Sequence, residues 1–144
     1  TVAEITLHVG YGTFEPVRVD DLTQHRVSAE RYAISDETAE ILNRARSEKR
    51  RIVAIGTTTT RALEATIAKF GNFLGGSFSA DLTITPGYNF RAIDALLTNF
   101  HLPQSSLLVL TSTFGGHELI MSAYRHAVAN KYRFYSYGDC MFIA

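Results

Sequence analysis

Four polar side chains lie close together in an otherwise apolar stretch of the chain. Asp94, Thr98, Asn99 and His101 are interleaved with alanine, leucine, phenylalanine and proline. Polar groups in apolar surroundings are unfavourable unless they are hydrogen-bonded. The stretch is therefore either a hydrogen-bonded structural loop or a functional site. His101 is the only one of the four that titrates near neutral pH, so it could act as a general acid or base.

A second candidate begins at Gly56, where four consecutive threonines precede Arg61. Backbone N–H groups at the start of a helix attract anions, and Arg61 could bind a carboxylate or a phosphate through paired hydrogen bonds. The glycine and lysine spacings differ from those of a phosphate-binding P-loop or a dinucleotide fingerprint. The alternative is that the threonines only cap the helix and that Arg61 pairs with Glu37 or Glu64.

Three further polar residues are weaker candidates. His25 and Glu30 could lie on one edge of a loop, but the sequence supplies neither a second cysteine nor paired histidines at the usual zinc spacing. Glu118 follows two glycines at a predicted helix start, where its charge suits the helix dipole. Capping is the default interpretation of that glutamate.

The aromatic residues near the end of the sequence allow two interpretations. Tyr132, Phe134, Tyr135 and Tyr137 could stack on nucleic-acid bases, but a half-buried strand explains the same pattern more simply. The single cysteine, Cys140, is interpreted as a small core residue.

The elements that must position these residues follow from hydrophobic periodicity. Helices are predicted after an N-cap at Ser35, from the threonine run at 57–60, over 105–114 with a buried strand as the alternative, and over 118–131. Strands are predicted at residues 2–9, 27–34, 52–56, 82–84, 132–137 and 141–143, with 52–56 buried on both faces. Residues 71–79 are predicted to form a loop. The strand–turn–helix order indicates a layered α/β/α domain with a mixed or parallel sheet.

Composition limits the class of protein. Hydrophobic residues make up 46% of the 144 residues and charged residues 19%, as in ordinary globular proteins. The apolar run Leu107–Leu110 is far too short to span a bilayer. Basic and acidic residues balance at 14 each, which argues mildly against a nucleic-acid partner. The first residues read at once as a strand without an initiator methionine, so we expect a piece of a longer protein.

Five segments, in chain order, resemble one family: the S-adenosylmethionine:tRNA ribosyltransferase-isomerases of queuosine biosynthesis. They are similar to that family's LHVGxGTFxPV, GTTxxRxLE, PGY with DALLTNFHLP, FAGxE and KYRFxSxGD motifs. In this sequence they are Leu7–Val17, Ile55–Glu64, Pro86–Pro103, Phe114–Glu118 and Lys131–Asp139.

The resemblance implies a fold and an activity. Residues 1–144 would be the C-terminal part of the main α/β catalytic domain, with a smaller β-barrel domain earlier in the full-length protein. The family's enzymes transfer the ribosyl moiety of S-adenosylmethionine to 7-aminomethyl-7-deazaguanine at the tRNA wobble position. Rearrangement gives epoxyqueuosine and releases adenine and methionine. The resemblance further implies no metal or organic cofactor, a cytoplasmic monomer and no membrane partner. The 144 residues alone are expected to be inactive.

The resemblance also suggests roles for individual residues. His101 would be the acid/base, oriented by Asp94 or Asn99, with His25 and Glu30 as further catalytic candidates. The residues expected to hold the methionine carboxylate or a phosphate are Gly56, Thr57, Thr58 and Arg61. The residues expected to line the nucleoside pocket are Gly10, Gly12, Thr13 and Phe14, with Glu118 as another substrate-binding candidate.

One motif departs from the family pattern. Where the family reads DHxMHxE, this chain has Gln24 and Ser28 in place of the acid and the second histidine. The alternative prediction is therefore a non-catalytic or altered-substrate paralogue that binds a nucleoside or RNA. A third is an α/β enzyme acting on a free small molecule.

Overall fold

The computed structural model describes residues 1–10 and 16–144. Gly12, Thr13 and Phe14, three of the residues predicted to line a nucleoside pocket, lie outside the described residues. The strands of the described part are β1 (Ile5–His8), β2 (Glu30–Ile34), β3 (Val53–Ile55), β4 (Gly76–Ala80), β5 (Ala95–Asn99) and β6 (Cys140–Ile143). The helices are α1 (Asp36–Ser47), α2 (Thr57–Phe70), α3 (Ser106–Gly115) and α4 (His117–Ala129).

These strands form two small sheets. In one, β2 lies between β1 and β4 and pairs with both in antiparallel fashion. In the other, β5 lies at the centre, parallel to β3 and antiparallel to β6. The α/β class and a mixed sheet are thus confirmed, whereas the separate antiparallel sheet was not predicted.

Helix α2 lies at the centre of the fold. It packs against strands of both sheets, and every residue from Thr60 to Ile67 is buried. Because α2 is surrounded in this way, the polar residues in its sequence are enclosed together with the apolar ones. For that reason the buried set includes Arg61 and Glu64, which become internal hydrogen-bonding centres rather than surface residues.

Local chemistry explains two of the other helices. The Ser35 hydroxyl accepts a hydrogen bond from the Thr38 N–H at 3.1 Å, which caps α1 as predicted. Ser105 caps α3 in the same way through the Leu108 N–H, also at 3.1 Å. The segment after Ser105 is therefore a helix, and the alternative of a buried strand is wrong.

Strand β3 differs from its prediction. Only Ala54 points into the core, whereas Val53 and Ile55 are 45% and 70% exposed. β3 pairs with β5 alone in the described part of the chain, so it is an edge strand there. The expectation that this segment is buried on both faces is wrong.

The boundaries around β4 also differ. The strand occupies Gly76–Ala80, within the predicted loop, and residues 82–84 form no strand. Side-chain hydrogen bonds hold the latter segment instead: the Leu82 carbonyl accepts from Arg61 Nε at 3.2 Å, and Thr83 Oγ1 accepts from the Val27 N–H at 3.0 Å.

The C-terminal aromatic segment is not a strand either. A short 3₁₀ turn spans Tyr135–Tyr137, and the backbone φ of Tyr135 is +64°, which no strand accommodates. Strand β6 follows it, close to the predicted 141–143. Cys140 is exposed, so its interpretation as a core residue is wrong. No helix among residues 1–10 and 16–144 is long and apolar enough to span a membrane.

Candidate functional site

Strand β5 is followed by a turn, and His101 in that turn is buried beside the end of the strand. The His101 Nε2 atom lies 3.0 Å from the Thr98 hydroxyl, and both side chains are buried. Because the two residues are only three positions apart, the turn folds the imidazole back onto the last inward-facing side chain of the strand. A hydrogen bond of this length fixes the orientation of the ring.

Tyr124 of α4 fixes the backbone at the same point. Its hydroxyl oxygen accepts a hydrogen bond from the His101 N–H at 2.7 Å, and its ring packs against Phe100 with centroids 5.3 Å apart. Burial raises the pKa of Tyr124 to about 12, so the phenol stays protonated at neutral pH. The position of His101 is thus set by contacts to both its backbone and its side chain.

Burial lowers the pKa of His101 to about 4, which leaves the imidazole neutral at physiological pH. Among the described residues, Thr98 alone is hydrogen-bonded to the ring. His101 also lines a small cavity of about 160 Å³. The cavity is lined by Pro16, His101, Leu102, Pro103, Gln104, Ser105, Leu107 and Tyr135. His101 therefore presents a neutral imidazole to a recess.

Neither residue expected to orient His101 is in contact with it. Asp94 lies at the opposite end of β5, where its Oδ2 accepts a hydrogen bond from the Ile52 N–H at 2.8 Å. The Asn99 amide donates a long hydrogen bond of 3.4 Å to the Asp139 carbonyl. Thr98 takes the orienting position instead. The signal in the sequence was a hydroxyl residue three positions before the histidine.

His25 makes a second buried histidine contact. Its Nε2 lies 2.7 Å from the Ser106 hydroxyl at the start of α3. Burial, with a smaller effect from the Arg26 charge, lowers the pKa of His25 below its ordinary value. From the sequence, Ser106 was considered only as an alternative to Ser105 for the cap of α3, and not as a partner of His25. The pair joins the loop before β2 to the segment that follows His101.

Glu30 lies apart from His25, in an ion pair with Arg61. The Arg61 Nη1 atom is 2.9 Å from Glu30 Oε2, and both side chains are only 4% exposed. The other Glu30 oxygen, Oε1, accepts a hydrogen bond from the Gly10 N–H at 2.8 Å. Glu30 thereby ties Gly10 of the first family motif to the helix of the second.

The remaining donors of Arg61 are also engaged. Nε donates to the Leu82 carbonyl at 3.2 Å, and Nη2 donates to the carbonyls of Ser28 and Ala80 at 3.0 and 3.1 Å. The expected pairing with Glu37 or Glu64 is wrong. Anion binding at this helix start would fall to Gly56, Thr57 and Thr58.

The start of α2 meets the end of β5. Gly56 has φ +94° and ψ 147° and provides no side-chain cap for the helix. Its N–H donates to the Leu97 carbonyl at 2.8 Å. Because β3 and β5 are parallel, their carboxyl ends share one edge of the sheet, where ligands of such sheets commonly bind. The start of α2 and the Thr98–His101 turn therefore lie at the same edge.

Within the part of the chain that the structure describes, no three histidine, cysteine, aspartate or glutamate side chains come together as a metal site.

Comparison with known proteins identifies the family. Residues 1–143 match the family described as "Queuosine biosynthesis protein". The chain belongs to this family. The predicted family membership is thus confirmed over nearly the whole chain.

Individual members of the queuosine biosynthesis family are closely similar. An S-adenosylmethionine:tRNA ribosyltransferase-isomerase from Azoarcus sp. (strain BH72) is 56% identical over 98% of this chain and 41% of its own length. One from Ralstonia nicotianae is 55% identical over 96% of this chain and 39% of its own length. The chain thus spans about two fifths of these curated relatives.

A solved member of the family shares the fold. The crystal structure of the S-adenosylmethionine tRNA ribosyltransferase from Thermotoga maritima matches with a TM-score of 0.76 and 42% identity. The match covers 99% of this chain and 44% of that one.

An apolar cavity of about 390 Å³, larger than the one that His101 lines, borders α3 and α4. Residues of the family motifs Pro86–Pro103 and Phe114–Glu118 contribute to its lining. It is lined by Leu22, Pro86, Gly87, Leu108, Val109, Ser112, Thr113, His117 and Met121. The only charged or titratable side chain in this lining is that of His117. Glu118 lies next to it in the first turn of α4 and is exposed.

The loop that leads to this cavity depends on Glu64, a residue that sequence reasoning treated only as a partner for Arg61. The Glu64 carboxylate is fully buried and accepts hydrogen bonds from the N–H groups of Arg91, Ala92 and Ile93, the shortest being 2.8 Å. It also accepts one from the Tyr88 hydroxyl at 3.1 Å. Burial and the adjacent carboxylate charge raise the pKa of Tyr88. Glu64 thus sets the path of the chain from Tyr88 to β5.

Proposed function

We propose that this chain is the C-terminal part of the main α/β catalytic domain of an S-adenosylmethionine:tRNA ribosyltransferase-isomerase. The enzyme would transfer the ribosyl moiety of S-adenosylmethionine to 7-aminomethyl-7-deazaguanine in tRNA. The product would be epoxyqueuosine, with adenine and methionine released. Support comes from family membership over residues 1–143 and from the printed names of the relatives.

The observation that carries the proposal is the neutral, oriented imidazole of His101 at the rim of a cavity. The sulfonium of S-adenosylmethionine acidifies the ribose C5′ proton, and its removal requires an unprotonated base close by. An imidazole that is neutral at physiological pH can accept that proton. In the proposal the Thr98 hydroxyl holds the ring, and Tyr124 holds the backbone that carries it.

The start of α2 supplies a place for an anionic group. The N–H groups of its first turn have no side-chain cap, and the helix dipole favours negative charge at this end. In the proposal, Gly56, Thr57 and Thr58 bind the methionine carboxylate at the sheet edge that also carries His101. Arg61 acts indirectly, because its donors hold the surrounding backbone.

The proposal treats S-adenosylmethionine as a substrate and includes no further cofactor. The second substrate is the wobble nucleotide of a tRNA, and the enzyme is proposed to act as a cytoplasmic monomer.

The two departures from the family motif lie at exposed positions. Gln24 ends a short 3₁₀ turn, and the Ser28 side chain is exposed while its carbonyl accepts from Arg61. The contact that Ser28 makes uses the backbone, so it is retained whatever the side chain. Replacement at these positions is therefore compatible with the same fold around Arg61.

The activity is tested with the full-length protein and S-adenosylmethionine labelled in the ribose. We expect label to enter precursor tRNA and adenine to be released only when that tRNA is present. We expect His101→Ala to reduce transfer by at least a hundredfold, within the range usual for loss of a general acid or base. Turnover without RNA would overturn the proposal in favour of a small-molecule enzyme. Unchanged turnover in His101→Ala would remove His101 from the chemistry.

A further inference from the structure

The segment Lys131–Asp139, called here the tyrosine turn, exposes three aromatic rings close to the candidate site. Tyr132, Tyr135 and Tyr137 are 42%, 38% and 75% exposed. The half-buried strand that would explain such a pattern does not form there. Large exposed rings grouped on one surface usually mark a binding site.

The turn is held in one conformation from within. The Asp139 carboxylate accepts hydrogen bonds from the Arg133 N–H and from the Arg133 guanidinium, with Nη2 at 3.2 Å. These hydrogen bonds from Arg133 lower the pKa of Asp139, so the Arg133–Asp139 contact persists well below neutral pH. Lys131 and Tyr135 have positive φ values of 58° and 64°, which a side chain adopts only where its surroundings impose it. A surface of this kind is organised before any partner binds.

Basic residues outnumber acidic ones in this part of the sequence. Between residues 125 and 139 the sequence contains Arg125, Lys131 and Arg133 against the single acidic residue Asp139, whereas the whole chain is balanced. Arg125 and Lys131 are exposed. Exposed rings beside cationic side chains are the combination by which proteins bind unpaired nucleic acid, since bases stack on the rings and phosphates meet the cations.

The tyrosine turn also borders the His101 recess. The Tyr135 N–H donates to the Phe100 carbonyl at 2.8 Å, one residue before His101. The Tyr135 side chain lines the same cavity as His101. A nucleotide stacked on this turn would therefore lie next to the cavity that His101 lines.

We propose that the tyrosine turn is a stacking surface for unpaired RNA bases that flank the base being modified, with Tyr137 as the main platform. This inference rests on the proposed function, because it assigns a role to the RNA that such an enzyme would bind. The partner is a single-stranded RNA loop rather than a duplex, because a paired base presents its edges and not its face.

The test measures binding of the full-length protein to a labelled RNA hairpin that carries a substrate anticodon loop. We expect Tyr137→Ala to weaken binding between about fivefold and a hundredfold, the range for loss of one base–aromatic stack. Tyr137→Phe keeps the ring and should bind within about twofold of the parent. Leu119→Ala, at a position near the start of α4 that is 66% exposed, is the matched control and should leave affinity unchanged. A fully paired duplex of the same sequence should bind weakly to every variant.

Two outcomes overturn the stacking surface while leaving the proposed function intact. One is hairpin affinity in Tyr137→Ala equal to that of Leu119→Ala in a protein that still transfers ribose to tRNA. The other is a loss of thermal stability in Tyr137→Ala with affinity unchanged, which would mean that another part of the protein packs on the turn. If the parent protein neither binds the hairpin nor modifies tRNA, the proposed function itself fails.

Discussion

The guanidinium of Arg61 and the carboxylate of Glu30 form an ion pair of 2.9 Å in which both side chains are 4% exposed. The pair joins α2 to β2, and through the Gly10 N–H it also contacts the first family motif. Around it, four backbone groups from separate parts of the chain converge: Gly10, Ser28, Ala80 and Leu82. The candidate site is therefore built on a buried polar centre rather than on apolar packing alone.

We expect Glu30→Gln to destabilise the full-length protein strongly. The substitution leaves the buried Arg61 cation without its counter-charge, and breaking a buried pair from one side costs about 3–5 kcal/mol. The measurement is the free energy of unfolding from urea denaturation. The matched control is Glu48→Gln, which removes an exposed 2.7 Å pair with Arg50 and should cost less than about 1 kcal/mol. Equal effects of the two substitutions would contradict the role of the buried pair.

We expect stability to fall as the pH drops from about 6.5 to about 4, because of His101. Burial lowers its pKa from 6.5 to about 4 in the folded protein. Between these values the unfolded chain takes up a proton that the folded chain does not. The contribution of His101 to the free energy of unfolding is therefore complete above pH 6.5 and is lost as the pH falls toward 4. Its size is on the order of 3 kcal/mol, at about 1.4 kcal/mol for each pH unit.

The measurement that isolates this contribution compares the pH dependence of unfolding in the parent and in His101→Asn. His25, whose pKa is also lowered, adds a slope of the same sign in both proteins. We expect the variant to be less stable at pH 7 but to lose less stability on acidification. Parallel curves for the two proteins would exclude a protonation-linked contribution from His101.

Gly56 should not tolerate a side chain without loss. Its φ of +94° lies where residues other than glycine are strained, at about 1–3 kcal/mol each. Among residues 1–10 and 16–144, no atom beyond the two chain neighbours lies within 4 Å of a Cβ added there, so the loss in Gly56→Ala is expected to come from the backbone. Gly10→Ala is the matched comparison, because a Cβ there meets Glu30 only at ordinary contact distance. In thermal denaturation, Gly56→Ala should have a clearly lower Tm than Gly10→Ala. The reverse order would contradict an origin of the loss in the backbone.

What the sequence predicted well depends on contacts between neighbouring residues. The cap of α1 was predictable because Ser35 and Thr38 are three positions apart, and α3 likewise begins with its own capping serine. Strand β4 was not predictable in this way. Its glycine and serine residues look like a loop, and it becomes a strand by pairing with β2 and packing Phe78 against Tyr32, with ring centroids 5.6 Å apart.

The candidate site shows the same division. The family motifs identified His101 and its neighbourhood, but the partner of each functional side chain depended on the fold. An aspartate or an asparagine is a more usual hydrogen-bond partner for histidine than a threonine. The turn after β5 nevertheless brings the His101 ring to Thr98, while Asp94 and Asn99 bond elsewhere. Arg61 likewise finds Glu30 across the domain rather than Glu64 on its own helix.

The Thr98 contact gives a prediction that separates positioning from folding. Thr98→Val keeps the shape of the side chain and removes the hydroxyl 3.0 Å from His101 Nε2. Loss of a hydrogen bond worth about 1 kcal/mol should lower kcat of the full-length enzyme by roughly five- to tenfold. KM for S-adenosylmethionine should change little, because the start of α2 is untouched. Thr98→Ser restores the hydroxyl and should recover most of the activity. Loss of activity in Thr98→Ser but not in Thr98→Val would mean that packing of the methyl group, which valine keeps, rather than the hydrogen bond to His101, is what matters at this position.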